Sequence, residues 1–201
     1  MIDELSKIVK DHNIKVSSIV YIGANEGQDI QSFIKLFGNI PIHLFEPQKK
    51  VFAKLKKNFG GVENLFFYDF ALGSDTKKDV INTNINNKNM SSSLLKPKEH
   101  LKYHPKIKFE GQEEIQVKKF IDLNLRDINM INLDVQGYEL EVLKGFTDQL
   151  NSVDIIVCEV NRKELYDDCV LVNELDKYLN KYNFLRIKTF WFNKTIPWGD
   201  A

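Results

Sequence analysis

The sequence predicts an α/β fold: one domain with a twisted, mostly parallel sheet and helices on both of its faces. Short segments rich in β-branched and aromatic residues alternate with segments whose apolar residues recur at helical spacing. This alternation is typical of parallel strands joined by helical crossovers. A length of 201 residues suits one sizeable core and is marginal for two. The whole chain, residues 1–201, is therefore predicted to be a single domain.

The first third of the chain shows the alternation most clearly. An amphipathic helix is predicted within residues 1–14, and each later segment follows the last after a short connection. The predicted elements that follow are a strand at 18–22, a helix at 28–37, a strand at 41–45, a helix at 48–58 and a strand at 64–68.

Residues 74–106 interrupt this pattern. Residues 82–93 are rich in Asn and Ser, and Pro97 and Pro105 are incompatible with a helix interior or a central strand. The sequence therefore predicts an inserted loop region, which leads into a strand near 113–117. An insertion of this kind within a compact domain is more often a functional lid or substrate loop than a structural element.

The alternation resumes after the insertion and continues to the end of the chain. Antiparallel pairing is expected at the last edge of the sheet. The predicted elements are a short helix at 118–123, a strand at 128–133, a helix at 138–145, a strand at 153–158, a helix at 170–182 and a strand at 184–192.

The composition argues against two classes of partner. Lys+Arg and Asp+Glu are both 28, so no net field attracts the protein to nucleic acid or an anionic membrane.

No apolar run approaches the ~20 residues of a membrane span, and the N-terminus lacks the apolar core of a secretion signal. Cys158 and Cys169 suggest buried thiols in a reducing compartment. We therefore expect a cytoplasmic protein.

Residues 18–27, SIVYIGANEG, indicate a ligand site because a buried-type strand runs directly into a glycine turn. Gly23 and Gly27 supply positions where a Cβ would block unusual dihedral angles or a bound nucleoside. The spacing is not the Gly-x-Gly-x-x-Gly of dinucleotide-binding folds, and the chain has no Gly-Lys-Ser/Thr phosphate loop. Pyrophosphate binding is therefore disfavoured.

Glu46 follows the second predicted strand, at the edge where such folds bind a ribose diol. A ribose without a diphosphate indicates S-adenosylmethionine. The simpler interpretation is that the two glycines only form a tight turn and that Glu46 is a solvated strand end.

Four predicted strands are followed directly by an acidic residue. These residues are Glu46, Asp69, Asp134 and Glu159. Ligands of open α/β sheets bind beyond the carboxyl ends of the strands, so Glu46, Asp134 and Glu159 are expected to converge at one edge. Acidic residues at strand ends also begin turns or cap helices. This explanation is sufficient for one such residue, but it is the weaker one for four residues in equivalent positions.

The chain resembles the FkbM-type S-adenosylmethionine-dependent methyltransferases from about residue 18 to its end. The block at 131–146 is the most specific part of the resemblance. It implies a Rossmann-like class I methyltransferase fold and O-methyl transfer, commonly to a sugar or polyketide-type hydroxyl. The matching segments are YIGANEG (21–27), HLFEP (43–47), YDFALGS (68–74), MSSSL (90–94), INLDVQGYELEVLKGF (131–146), the strand end at 159–160 and TIPWGDA (195–201), which resembles the approach to the family's final strand.

The resemblance also implies roles for individual residues in binding the cofactor. The glycine turn would hold its methionine end, the second strand end its ribose and the third strand end its adenine, while the serine run would cover it. The implied contacts are Gly23, Ala24, Asn25 and Gly27 in the turn, Glu46 and Pro47, Asp69, Phe70 and Ala71, Ser92 within the run 91–93, and Asp134.

Methyl transfer to an alcohol requires a positioned acceptor and a base for its proton. Asp134 is the first candidate for this base because it ends the central strand beside the glycine turn. Glu139 and Glu159 are further candidates for the same pocket. His104, together with His100, lies in the insertion and is an alternative base. Several carboxylates near one site also make a divalent metal possible, which stays an open hypothesis.

Four other interpretations compete with this one. An N- or C-methyltransferase is disfavoured because the turn at 134–137 is not an Asn/Asp-Pro-Pro-Tyr/Phe turn, and a dehydrogenase is disfavoured by the glycine spacing. A non-catalytic module that binds S-adenosylmethionine, or an enzyme acting on a non-sugar natural product, stays open. The sequence does not predict the oligomeric state.

Overall fold

A computed structural model describes residues 2–192 and 196–201. Met1 and residues 193–195, which belong to the predicted domain 1–201, lie outside the described residues. The described chain is built on a seven-stranded sheet. Its strands are β1 (Ile19–Ile22), β2 (Ile42–Phe45), β3 (Leu65–Tyr68), β7 (Met130–Leu133), β8 (Ile155–Asn161), β9 (Phe190–Trp191) and β10 (Trp198–Asp200). Their order across the sheet is β3-β2-β1-β7-β8-β10-β9.

The predicted parallel sheet is confirmed. Strands β3, β2, β1, β7 and β8 pair in parallel, and β10 pairs antiparallel with both β8 and β9. Strands β1, β2 and β7 are apolar and buried along their whole length, which is the pattern expected at the centre of a parallel sheet covered on both faces.

Helices cover both faces of the sheet, as predicted. Tyr21 of β1 belongs to the core with Phe33, on the side of the first three helices, whereas Ile22 points to the opposite core with Phe146. This alternation follows from the period of two along a strand. The helices are α1 (Ile2–Asp11), α2 (Ile30–Phe37) and α3 (Lys49–Phe59) on the first side, α5 (Glu139–Phe146) and α6 (Val172–Leu179) on the second, and the short α4 (His100–Tyr103).

The prediction that residues 74–106 form a loop region is wrong for its first part. Strand β5 (Lys77–Thr83) pairs antiparallel with β6 (Gly111–Lys118), and β4 (Ala71–Leu72) completes a small sheet with the order β4-β6-β5. Strand β5 escaped prediction because it is an edge strand, with only Ile81 and Thr83 buried. The polar residues of its exposed face are typical of a loop.

The predicted last strand, 184–192, is reduced to β9 (Phe190–Trp191). Leu185 and Ile187 are 78% and 58% exposed, and their segment has no strand partner among the described residues. Strand β10 (Trp198–Asp200) instead lies between β8 and β9, within the segment 195–201 that was predicted only to approach a final strand.

The chain reverses its direction across the sheet at β1. From β1 it proceeds to β2 and β3 on one side, and it later returns to β7 and β8 on the other. Open α/β sheets bind ligands at such a switch point, outside the carboxyl ends of the strands. A ligand is therefore expected to bind at the turns that follow β1, β2 and β7. The described residues contain no helix with the length and apolar character needed to cross a bilayer.

Candidate active site

Three cavities of comparable volume, about 190, 250 and 210 Å³, occur in the described part of the chain, so size does not identify the site. The first lies at the carboxyl ends of β1, β2 and β7, where the switch point predicts a ligand. The other two contain none of the predicted site residues. The predicted site residues that line the first cavity are Gly23, Asn25, Glu46, Pro47, Ala71, Ser92 and Asp134.

Gly23 joins the turn after β1 to both neighbouring strands. Its N–H donates to the carbonyl of Phe45 at 3.0 Å, and a Cβ on Gly23 would lie 1.8 Å from the carbonyl oxygen of Asp134. Its φ of +78° is also in the region that favours glycine. The position therefore requires glycine for both conformation and space.

Glu46 lines the cavity and is only 3% exposed. Its Oε2 accepts a hydrogen bond from the N–H of Asn25 at 3.1 Å, and its Oε1 accepts one from the N–H of Gln48 at 2.9 Å. Burial raises the pKa of Glu46 to about 7, although these hydrogen bonds lower it.

These contacts leave Glu46 able to accept a hydrogen bond from a ribose hydroxyl. A carboxylate has about four acceptor positions, and Oε2, which accepts only from Asn25, keeps a free lone pair. Oε1 also accepts a hydrogen bond from Nε2 of Gln48 at 3.4 Å. The backbone bonds also fix the orientation of the carboxylate. Glu46 therefore fits the ribose end of S-adenosylmethionine, and the apolar side chains of Ala71, Leu72 and Ile81 line the same cavity.

Asp134 and Glu159 form a carboxylate pair held by one amide. Nε2 of Gln136 donates to Oδ1 of Asp134 at 2.7 Å and to Oε2 of Glu159 at 2.9 Å. Asp134 is open to the cavity on one side and packed among protein atoms on the others, which raises its pKa to about 6. Burial, with Asp134 nearby, raises the pKa of Glu159 well above its ordinary value.

Glu139 is completely buried and does not line the cavity. Its Oε1 accepts hydrogen bonds from the N–H groups of Val135 at 3.2 Å and Gly137 at 3.0 Å, while its Oε2 has no partner among the described residues. Burial raises its pKa to about 7. The structure therefore places Glu139 beneath the turn that follows β7, where it fixes the backbone next to Asp134.

Two residues of the glycine turn lie outside the cavity lining. The side chain of Ala24 is fully buried in the core. A Cβ on Gly27 would lie 2.5 Å from a ring carbon of Phe59 and 2.9 Å from Leu55, so this glycine allows α3 to pack closely on the turn.

Three further predicted residues also lie outside the lining. Asp69 is exposed, and Phe70 packs against Phe45 with ring centroids 5.6 Å apart. His104 contacts the rings of His100 and Trp198, at centroid distances of 5.0 and 4.9 Å, in an aromatic cluster beside the insertion. The structure thus does not bring His104 to the cavity that holds Asp134.

The serine run is ordered and tied to the turn after β7. Oγ of Ser93 donates to the carbonyl of Gln136 at 2.8 Å, and the carbonyl of Ser91 accepts a hydrogen bond from the Tyr166 hydroxyl at 3.0 Å. Ser92 and Ser93 both line the cavity. The inserted region therefore forms one wall of the site.

Sequence reasoning missed several lining residues. Gln48 and Gln136 each lie two residues after a predicted acid, and this proximity was the available signal for both. Asp29, whose Oδ2 accepts a hydrogen bond from Tyr21 at 3.1 Å, had no such signal. Gln28 and Asn89 also line the cavity without a sequence signal, whereas Met90 and Tyr138 lie in segments that carry the family resemblance but were given no role.

The metal hypothesis gains no support from the geometry. Residues 2–192 and 196–201 contain no group of three or more His, Cys, Asp or Glu side chains arranged to hold a metal ion. Asp134 and Glu159 share an amide donor, as the contacts of Gln136 show.

The strand order, the switch point and the acids beyond β2 and β7 define a Rossmann-like fold of the class I methyltransferase type. The chain matches the family described as "Methyltransferase FkbM domain" over residues 22–186, and it belongs to this family. The predicted family and fold class are thereby confirmed.

Two curated proteins are similar in sequence. The 2-O-methyltransferase NoeI of Sinorhizobium fredii is 26% identical over 158 residues, which are 74% of this chain and 65% of that protein. The match thus spans slightly less than two thirds of NoeI. The hexuronic acid methyltransferase AglP of Haloferax volcanii is 48% identical over 33 residues, which are 16% of this chain and 14% of AglP.

Solved structures share the fold at low sequence identity. A protein from Galdieria sulphuraria, described as a putative sarcosine dimethylglycine methyltransferase, has a TM-score of 0.53 at 9% identity. The match covers 94% of this chain and 63% of that chain. A SAM-dependent methyltransferase from Leishmania major has a TM-score of 0.51 at 13% identity, covering 99% and 70%.

Proposed function

We propose that the protein is an S-adenosylmethionine-dependent O-methyltransferase whose acceptor is a hydroxyl group of a sugar or glycan. One observation supports this proposal most strongly. Glu46 and Asp134 follow the two strands that flank β1, and both line one cavity with the glycine turn between them. Family membership supports the same reaction class.

The cavity offers a separate contact for each part of the cofactor. Glu46 would accept a hydrogen bond from a ribose hydroxyl, and the apolar side chains of Ala71, Leu72 and Ile81, which line the same cavity, would contact the adenine. The turn at Gly23 and Asn25 holds the methionine end. Bound S-adenosylmethionine supplies a methyl group on a positively charged sulfur, and the acidic side chains of the cavity favour that charge.

Asp134 is the proposed general base. It is open to the cavity, and a pKa near 6 keeps it mostly ionised at neutral pH while making it a stronger base than an ordinary aspartate. Glu159 and Glu139 act on Asp134 from behind the cavity wall, since neither lines it. His104 is the alternative base that the sequence suggested, and it lies in the aromatic cluster.

The proposed acceptor class is supported by the relatives. NoeI is named as a 2-O-methyltransferase and AglP as a hexuronic acid methyltransferase. We infer a hydroxylated small molecule or glycan and not a nucleic acid, since the chain has no net charge. The buried, unpaired thiols of Cys158 and Cys169 agree with a reducing, cytoplasmic location.

The proposal is tested by incubating the protein with S-adenosylmethionine carrying a labelled methyl group. The acceptors are a panel of sugars and oligosaccharides, a panel of non-sugar alcohols, and a panel of amines. We expect label in the sugar panel, and its loss with Asp134→Asn. Label only in amines contradicts O-methylation. Cofactor binding without transfer to any panel favours a non-catalytic module.

A further inference from the structure

We propose that Gln136 is a positioning residue, whose amide holds the Asp134 carboxylate in place by bridging it to Glu159. The proposal rests on the proposed function for its catalytic part. Gln136 follows Asp134 by two residues, and neither the family match nor the named relatives assign it a role.

Every polar atom of the Gln136 side chain has a partner. The two hydrogens of Nε2 go to Asp134 and Glu159. Oε1 lies 2.8 Å from the Tyr166 hydroxyl, which shares its single hydrogen between Oε1 and the carbonyl of Ser91. The reverse orientation of the amide would place its oxygen against two carboxylates, which is repulsive. The pair of acids therefore selects the orientation in which the amide donates.

The backbone of Gln136 is fixed as firmly as its side chain. Its carbonyl accepts a hydrogen bond from Oγ of Ser93 at 2.8 Å, and its φ is +56°. Gly137 follows with φ +100°, and a Cβ there would lie 2.8 Å from Cβ of Cys169. A residue held in a sparsely populated conformation by its surroundings is characteristic of a functional site.

This arrangement has a chemical consequence. One oxygen of Asp134 is occupied by Gln136, which leaves the other for the cavity. Hydrogen bonds from Gln136 favour the ionised forms of both acids, against the burial and mutual repulsion that favour protonation. The titratable groups that face the pair from the surrounding elements are Asp29, Asp200, Glu139, Tyr21, Tyr166 and Cys158.

The test uses Gln136→Met, which keeps the side-chain length and removes both donors. The first readout is a carbon-13 carboxyl NMR titration of the ligand-free protein, with Asp134→Asn to assign the signal. We expect the apparent midpoint of the Asp134–Glu159 pair to rise by about one pH unit. A purely structural role would lower stability without moving the midpoint.

The second readout is the pH dependence of methyl transfer. Since ionised Asp134 is the active form, the acidic limb of the kcat profile should move to higher pH by a similar amount. We expect kcat to fall about tenfold at pH 5, below both midpoints, and only about twofold at pH 7, with KM for S-adenosylmethionine changing less than about threefold.

Tyr166→Phe is the second variant, in case Gln136→Met fails to fold. It keeps the buried ring and removes the hydroxyl that supports the amide, so a smaller shift in the same direction is expected. Tyr103→Phe is the matched control, since Tyr103 belongs to the same aromatic cluster and its hydroxyl contacts Lys163.

Unchanged midpoints in both folded variants would overturn the inference. An inactive wild-type protein would instead count against the proposed function, and the titration would still decide the role of Gln136.

Discussion

The backbone N–H of Asn25 donates a hydrogen bond to Oε2 of Glu46 at 3.1 Å, across 21 residues of chain. The bond joins the glycine turn after β1 to the acid that follows β2. It orients the carboxylate toward the cavity that Asp134 lines from β7. The two ends of the proposed cofactor site are thus parts of one hydrogen-bonded unit.

The close contact between Gly23 and Asp134 predicts a large loss of stability on Gly23→Ala. Gly38→Ala is the matched control, since Gly38 has a similar φ of +81° and nothing within 4 Å of an added Cβ. We expect backbone strain alone to cost about 1 kcal/mol at Gly38, and strain plus the clash with β7 to cost about 4 kcal/mol or more at Gly23. Urea unfolding measures both, and equal losses would argue against the close approach.

The buried carboxyl group of Glu139 predicts that the free energy of unfolding falls as pH rises. Burial raises its pKa from 4.5 to about 7, so the folded protein binds this proton more tightly than the unfolded chain does. Its contribution to stability is fully present below about pH 4.5 and is lost as pH rises through 7. The full change is on the order of 3 kcal/mol.

Glu139→Gln should remove this part of the pH dependence, because an amide stays neutral and its oxygen still accepts from Val135 and Gly137. Thermal unfolding at pH 5 and pH 8 measures the effect. We expect the variant to gain stability relative to wild type on going from pH 5 to pH 8. Parallel curves for the two proteins would show that Glu139 is not the group responsible.

The position of His104 outside the cavity lining predicts a contrast between the two candidate bases. Asp134→Asn should lower kcat by about 10²- to 10⁴-fold, the usual contribution of a general base. His104→Gln should change kcat less than about threefold, because its ring packs against His100 and Trp198. Steady-state kinetics with a saturating acceptor measures both, and the reverse order would make His104 the base.

The sequence predicts the central strands well because they are buried on both faces. The observed bounds of β1, β2 and β7 lie within two residues of those predicted. Strand β5 was missed because its exposed face is polar, and segment 184–189 was wrongly assigned to a strand because its apolar residues are exposed without a pairing partner. Edge elements depend on neighbours that a local pattern does not contain.

The site residues likewise include some that the sequence could predict and some that it could not. Glu46 and Asp134 were predictable because each directly follows a buried strand, and position along a parallel sheet determines which residues meet at its edge. The link from Asp134 through Gln136 to Tyr166 was not predictable, since Tyr166 lies 30 residues beyond Gln136 in an irregular segment. Tyr166 reaches Gln136 only through the way that its segment packs in the folded chain.

Glu46 is the residue on which cofactor binding should depend most. In Glu46→Gln one carboxylate oxygen becomes an NH₂ group, which meets either the Asn25 or the Gln48 N–H and no longer accepts from a ribose hydroxyl. We expect the affinity for S-adenosylhomocysteine to fall about 10- to 100-fold, as for a lost hydrogen bond to a charged group. Glu63→Gln, at an exposed position that does not line the cavity, should bind normally.

Calorimetric titration of the wild-type protein with S-adenosylhomocysteine, with NADH in parallel, tests the central claim most directly. We predict saturable binding of S-adenosylhomocysteine at one site per chain, weakened by Glu46→Gln and unchanged by Glu63→Gln, and no binding of NADH. Binding of NADH without affinity for S-adenosylhomocysteine, or equal binding by both variants, would contradict it.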